Sequence, residues 1–193
     1  MVALEGCEHF QKQSYRNRCR ILTANGVENL QVPVVHGDNL YRTPIREVRV
    51  DYSVPWIPKM ERAVASAYES SAYFFHYRDD FFALLEAAPE TLWELDLSLI
   101  GFFLAKTGIA VGFRPTETYE RPEKYDAAGG VWPGEDLREA IHPKRPNGIL
   151  RALDLEKPYF QVFARKYGFQ SDLSVMDLLF NEGPDSILFL KRL

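Results

Sequence analysis

Apolar and polar positions change their period several times along the chain, and each change marks an element. Residues 1–5 hold a short apolar run, Val2-Ala3-Leu4, that reads as a buried strand. Residues 8–13 read as a loop, and residues 15–22 alternate as a strand does. Asn25-Gly26 signals a turn, and residues 30–35 read as the returning strand of a hairpin. Pro33 cannot donate to a ladder, so that strand lies at an edge or near its end. His36-Gly37-Asp38-Asn39 is a polar turn. Residues 45–52 alternate again, with Val48, Val50 and Tyr52 on one face and Glu47, Arg49 and Asp51 on the other.

The period then lengthens to that of a helix. Pro55-Trp56 opens one that runs to about Glu69, with Asp51 or Ser53 available to cap it. Trp56, Met60, Val64 and Ala67 form its apolar stripe. A second helix spans residues 73–87, with Phe74, Tyr77, Phe81 and Leu84 inward. Thr91 and Glu94 have capping-box spacing and start a third, which ends at Thr107 with Gly108 beyond it. This third helix is apolar on more than one side and is expected to be central. Asp96 and Ser98 interrupt it, and Asp96 reads as solvent-exposed. Residues 109–113 read as a short buried strand.

Residues 114–146 change character, because five prolines and three glycines break up any regular element. A long connection of this kind serves as a lid, a binding loop or a linker, and it is expected to be the most mobile part of the chain. One short helix is expected at residues 136–139. Arg138, His142 and Lys144 give it a cationic patch. Further helices follow at residues 158–167, closed by Gly168, and from Ser174 to Asn181-Glu182-Gly183-Pro184. Leu178, Leu179 and Phe180 form the apolar side of the latter, and residues 186–193 add a last helical turn or two. The pattern as a whole predicts one α/β domain over residues 1–193, with a mixed sheet, N-terminal hairpin strands and a helical C-terminal half. An α+β arrangement is the alternative.

Composition narrows the function. With 193 residues, 46% of them apolar, the chain can bury a sizeable core. A net charge of −4 argues against general nucleic-acid binding, which needs a basic surface. Cys7 and Cys19 match no zinc or redox spacing, and four scattered histidines make no metal cluster, so no metal site is expected. The thiols read as small apolar residues in a reducing compartment. No basic segment followed by an apolar run opens the chain, and the longest apolar stretch, residues 99–105, is too short to span a membrane. The expectation is a cytoplasmic protein with no transmembrane segment.

The densest chemistry lies in residues 8–21, Glu-His-Phe-Gln-Lys-Gln-Ser-Tyr-Arg-Asn-Arg-Cys-Arg-Ile. On a strand, Arg16, Arg18 and Arg20 share one face, while Tyr15, Asn17, Cys19 and Ile21 share the other. Three guanidiniums in a row are either a solvated face or a fork for an anion such as a pyrophosphate. Tyr15 and Trp56 could stack a base or sugar ring. Acid–base candidates are Glu8, His9, Lys12, Asp177 and Glu182. Among them His9, whose ordinary pKa lies near neutrality, and Lys12 stand closest to the arginines and are expected to be catalytic. Tyr15, Arg16, Asn17, Arg18, Arg20 and Trp56 are expected to hold the substrate. No phosphate loop, nucleophile elbow or HExxH helix is present, and no cofactor is specified.

HFQKQSYRNRCRI, NGVENLQVPV and TPIREVRVDYSVPW, together with AYESSAYFFHY, PYFQVFARKYGF and LSVMDLLFNEGP, resemble the WbqC-like family over nearly the whole chain. That family is associated by name with O-antigen and other surface-polysaccharide gene sets. The resemblance implies that setting and no particular reaction; with the Arg-rich strand, the expectation is a transferase acting on an activated sugar or related phosphate-bearing substrate such as a sugar nucleotide. The alternative is a non-catalytic module that binds a sugar nucleotide or a partner enzyme. Family members usually begin with a Pro-aromatic-Phe-Pro-like segment ahead of the part matched here. Its absence predicts an exposed sheet edge or an apolar groove beside Val2-Ala3-Leu4, open to self-association.

Overall fold

The computed structural model describes residues 1–37, 39–121, 137–138, 141–144 and 148–191. Helices and small sheets are mixed, and the C-terminal half is helical, as the pattern predicts. The strands fall into two separate pairs among the described residues: β2 with β3, antiparallel, and β1 with β4, parallel.

The hairpin joins β2 (Arg18–Thr23) to β3 (Gly26–Gln31). Thr23 lies opposite Gly26, so only Ala24 and Asn25 form the loop and the return begins earlier than residue 30. Gly26 takes φ +107°, a conformation open to glycine. β2 in turn starts three residues later than the alternation suggests. The reason is Asn17, which is buried and is tied to Val32 twice. Its carbonyl accepts the Val32 N–H at 2.8 Å, and its side-chain amide donates to the Val32 carbonyl at 2.9 Å. Arg16 therefore lies off the strand, and the three arginines do not form one row.

The expected strand over residues 45–52 is mostly absent. Ile45–Glu47 is a 3-10 turn, and the rest makes isolated bridges, Val34 with Val50 and Arg49 with Thr91. Val48 and Val50 are buried as expected, but Tyr52 is exposed. Tyr52 instead lies against Trp56, with ring centroids 6.0 Å apart, and donates to the Pro89 carbonyl at 2.8 Å.

Three helices follow: α1 (Trp56–Tyr68), α2 (Phe74–Glu86) and α3 (Leu92–Lys106). No side chain caps α1, because the Asp51 carboxylate accepts from the Ser53 N–H and hydroxyl instead. The inward residues of α2 are Phe74, Tyr77, Phe81 and Leu85; Leu84 is only half-buried. The core joins these to Ile21, Leu30, Val64, Tyr68, Leu92, Leu95 and Leu179, with Phe180 among them. Tyr68 and Phe74 each meet the Phe180 ring edge-on at 5.3 Å.

α3 is not the central helix. Leu92 and Leu95 are its buried residues, and most of its remaining apolar side chains are half-buried. β1 (Val2–Leu4) is likewise unburied: Val2 is 46% exposed. It pairs on one side with β4 (Phe113–Pro115), which begins where the expected strand over 109–113 would end. The half-covered face of α3 and the half-covered β1 face each other, and this creates the site.

Of the long connection, residues 122–136, 139–140 and 145–147 lie outside the described residues, and with them the expected helix at 136–139 and the expectation of mobility there. Asp38 of the polar turn lies outside them too. Beyond the connection come α4 (Gly148–Ala152), α5 (Ala164–Tyr167), α6 (Val175–Glu182) and α7 (Ser186–Leu190). α5 is shorter than expected because residues 159–161 are tied to α6. Tyr159 donates to Asp177 Oδ2 at 2.8 Å, Gln161 Nε2 donates to the same oxygen at 3.0 Å, and the Phe160 N–H donates to Glu182 Oε1 at 2.8 Å. The Ser174 side chain caps α6 by accepting from the Met176 N–H. No described helix is long and apolar enough to cross a membrane.

Candidate functional site

A cleft of about 910 Å³ lies between α3 and β1. The apolar groove expected beside Val2-Ala3-Leu4 is thus present. One wall is the face of α3 that carries Asp96, Leu97, Ile100, Phe103, Leu104 and Thr107, spaced as one helical stripe. The opposite wall is residues 1–5. Ser14, Tyr15 and Arg16 close one end beside Ile45, and Leu137, Arg138, Ile141, His142 and Pro143 lie along the rim.

Chain direction orders the cleft from end to end. Gly6, just after β1, packs on Trp93 in the first turn of α3, and its carbonyl accepts from the Arg46 N–H. At the other end the Val2 N–H donates to the Gly112 carbonyl, just beyond the C-terminus of α3. β1 and α3 therefore run in opposite senses. Asp96 lies near the end with Glu8 and Arg16, whereas Leu104 and Ile109 lie toward Val2.

The polar end is built from paired charges. Arg16 donates to both oxygens of Glu8, from Nε at 2.7 Å and from Nη2 at 2.5 Å. The two side chains are only 17% and 18% exposed, so this fork is partly desolvated and rigid. Arg16 Nη1 also donates to Gln11 Oε1 at 3.4 Å. Glu5 is more enclosed still. Its Oε1 accepts from the Cys7 N–H and the Thr116 hydroxyl, each at 2.8 Å, and its Oε2 accepts from the Glu120 N–H at 2.8 Å. Arg138 Nη1 stands 3.6 Å from the same Oε2 and donates to the Glu120 carbonyl at 2.6 Å. Glu5 thus fastens the end of β1 to the segment after β4.

Asp96 differs from these groups. It faces the cleft, and no hydrogen bond or ion pair ties it to another described residue. Burial pushes its carboxyl well above the ordinary carboxylate range, with no opposing interaction. The result is a carboxyl in an apolar wall whose protonated form is favoured over that of an ordinary Asp. At the rim, His142 Nδ1 accepts from the Lys144 N–H at 3.1 Å.

Of the residues expected from the sequence, Glu8, Tyr15 and Arg16 line this cleft, with Arg138 and His142 of the cationic patch; the rest stand elsewhere. His9 is exposed and bridges Pro44 through the backbone, and Lys12 is exposed in its loop. Arg18 Nη2 donates to the Gln13 carbonyl at 2.5 Å. Arg20 pairs with Asp172 at 3.0 Å, joining the hairpin to the segment before α6. Asn17 closes the hairpin, and Trp56 is buried at the start of α1. Asp177 is buried under Tyr159 and Gln161, and Glu182 holds the Phe160 N–H. Cys19 packs against the core, where burial raises its thiol to about 11 despite a hydrogen bond with Ser174, so it is unreactive at neutral pH.

Sequence reasoning missed Asp96 and Glu5. A signal for Asp96 was present: it is a lone acid on the same helical stripe as Leu97, Ile100 and Leu104, where solvent exposure is the wrong expectation. Among the described residues, no group of three or more His, Cys, Asp or Glu side chains could hold a metal ion.

The cleft is half-open and mostly apolar, with one acid in its wall that has no partner among the described residues. The model of the WbqC-like protein family matches residues 2–188, nearly the whole chain. The chain belongs to this family, whose name ties it to polysaccharide biosynthesis. No curated protein and no solved structure matches it.

Proposed function

We propose that the protein is a transferase of surface-polysaccharide synthesis that takes an activated sugar, or a sugar-linked substrate, into the α3–β1 cleft. The observation that carries this reading is Asp96, an acid facing the cleft with no hydrogen-bond or ion-pair partner among the described residues. A carboxylic acid whose pKa is raised by burial holds its proton more tightly than an ordinary carboxyl and can give it to a departing oxygen as the bond to the transferred group breaks. The Glu8–Arg16 fork stands at the same end. Arg16 spends one N–H from each of its three nitrogens on Glu8 and Gln11, and its remaining N–H groups can hold a phosphate or hydroxyl oxygen. Tyr15 beside it offers a ring face for a sugar or base. His9 and Lys12 stand outside the cleft, so this reading gives them no part in proton transfer. Arg18 and Arg20 serve the protein's own contacts, which leaves Arg16 as the substrate-facing member of the three.

Saturation-transfer NMR with a panel of nucleotide sugars, paired with an assay of nucleotide release, tests the reading. The parent protein should bind and release. Asp96→Asn should bind within about twofold of the parent but release at least ~100-fold more slowly, as expected for loss of a general acid. Leu104→Trp, which fills the cleft, should lose both. Binding that survives Leu104→Trp would move the site elsewhere. Binding without release in the parent would favour the non-catalytic module.

A further inference from the structure

The polar groups of the cleft gather at one end, and the rest of its length is apolar. From Asp96 to Thr107 the α3 stripe advances 11 residues, which at 1.5 Å per residue is about 16 Å of helix. Between them lie Leu97, Ile100 and Leu104, with Ile109 beyond and Val2 opposite. Ile100 is 36% exposed and Val2 46%, so the described residues leave this wall largely open to solvent. A free sugar has small apolar C–H faces and could cover only a fraction of such a wall. A hydrocarbon chain would, because covering apolar surface releases water from it.

We infer that the substrate is amphiphilic: its sugar sits at the Asp96–Arg16 end, and an apolar chain runs along α3 toward Ile109. This inference rests on the cleft being the substrate site. Asp96 marks the junction, since a proton-bearing acid with no protein partner tolerates an apolar neighbour on one side and can donate to a sugar oxygen on the other. A charged carboxylate there would be costly once the chain covered it. Burial already favours the neutral acid, which fits that arrangement.

Isothermal titration with n-alkyl β-glucosides of one to eight carbons, each below its micelle-forming concentration, tests this. Affinity should rise with chain length by about two- to fourfold per methylene, the upper figure corresponding to full burial of each group. Ile100→Asn and Leu104→Asn, in the wall, should flatten that dependence. Leu188→Asn, an exposed apolar residue of α7 outside the cleft, should leave it intact. Urea unfolding of each variant confirms that it is folded. If methyl and octyl glucosides bind equally, the amphiphilic substrate is excluded and the sugar site stands. If none of the series binds, both readings fail. If Leu188→Asn flattens the dependence as much as Leu104→Asn, the chain is binding nonspecifically and the inference fails. Light scattering that shows a dimer broken by Leu104→Asn would assign the wall to a second copy and overturn the inference.

Discussion

Gly183 shows how much a single position can carry. It joins α6 to the turn before α7, with φ +56° and ψ −128°, a region essentially limited to glycine. A Cβ built there would lie 2.5 Å from the Tyr73 ring, which itself sits over α6 because the Tyr73 N–H donates to the Phe180 carbonyl. Gly183→Ala combines backbone strain with overpacking, each on the order of 1–3 kcal/mol. The urea midpoint should fall by an amount equivalent to about 3 kcal/mol. A midpoint equal to the parent's would mean that Tyr73 moves aside at no cost. Asp96 is the opposite kind of residue: no described residue pairs with its carboxyl, which is why the proposed reading gives it the proton transfer.

At the scale of elements, local signals held where the chain supplies its own partners. The Thr91 capping box is complete: the Thr91 hydroxyl oxygen accepts from the Glu94 N–H, and Glu94 accepts from the Thr91 N–H. Thr91→Ala should lower stability by about 1 kcal/mol, read as a shift in the urea midpoint. It should also loosen the first turn of α3, which carries Trp93 and sets where Asp96 sits; faster amide exchange at residues 93–95 would report it. Unchanged exchange and midpoint would show that packing of Leu92 and Leu95 alone holds that turn. Elsewhere tertiary bonds moved the boundaries. Asn17 cut β2 short, and the ties from residues 159–161 to α6 shortened α5.

Across the whole molecule, buried carboxyls link stability to pH. Burial raises Asp177 above its ordinary value of 3.8, and hydrogen bonds from Tyr159 and Gln161 offset only part of the rise. A carboxyl raised in the folded state binds its proton more tightly there than in the unfolded chain. Its contribution is complete below the ordinary value and is lost as pH rises through the folded value. Asp177→Asn removes this loss while keeping an oxygen for Tyr159. The variant should therefore gain stability relative to the parent as pH rises from about 4, measured by urea midpoints at successive pH values. A difference that stays constant with pH would show that Asp177 titrates alike in both states.

The sequence by itself determined most of the helices, the hairpin, the capping box and the apolar side of α6. These rest on periods, caps and turns within a few residues of one another, and local chemistry is what a linear pattern records. The tertiary structure alone decided which charges were free. Arg16, Arg18 and Arg20 look equivalent along the chain, yet Glu8, the Gln13 carbonyl and Asp172 claim them separately. Asp96 looks like a surface acid, yet it lines a cleft whose opposite wall is residues 1–5. Neither outcome is written in the spacing of the residues themselves, because a guanidinium or carboxyl is available to a ligand only through the N–H groups or oxygens that folding leaves unspent.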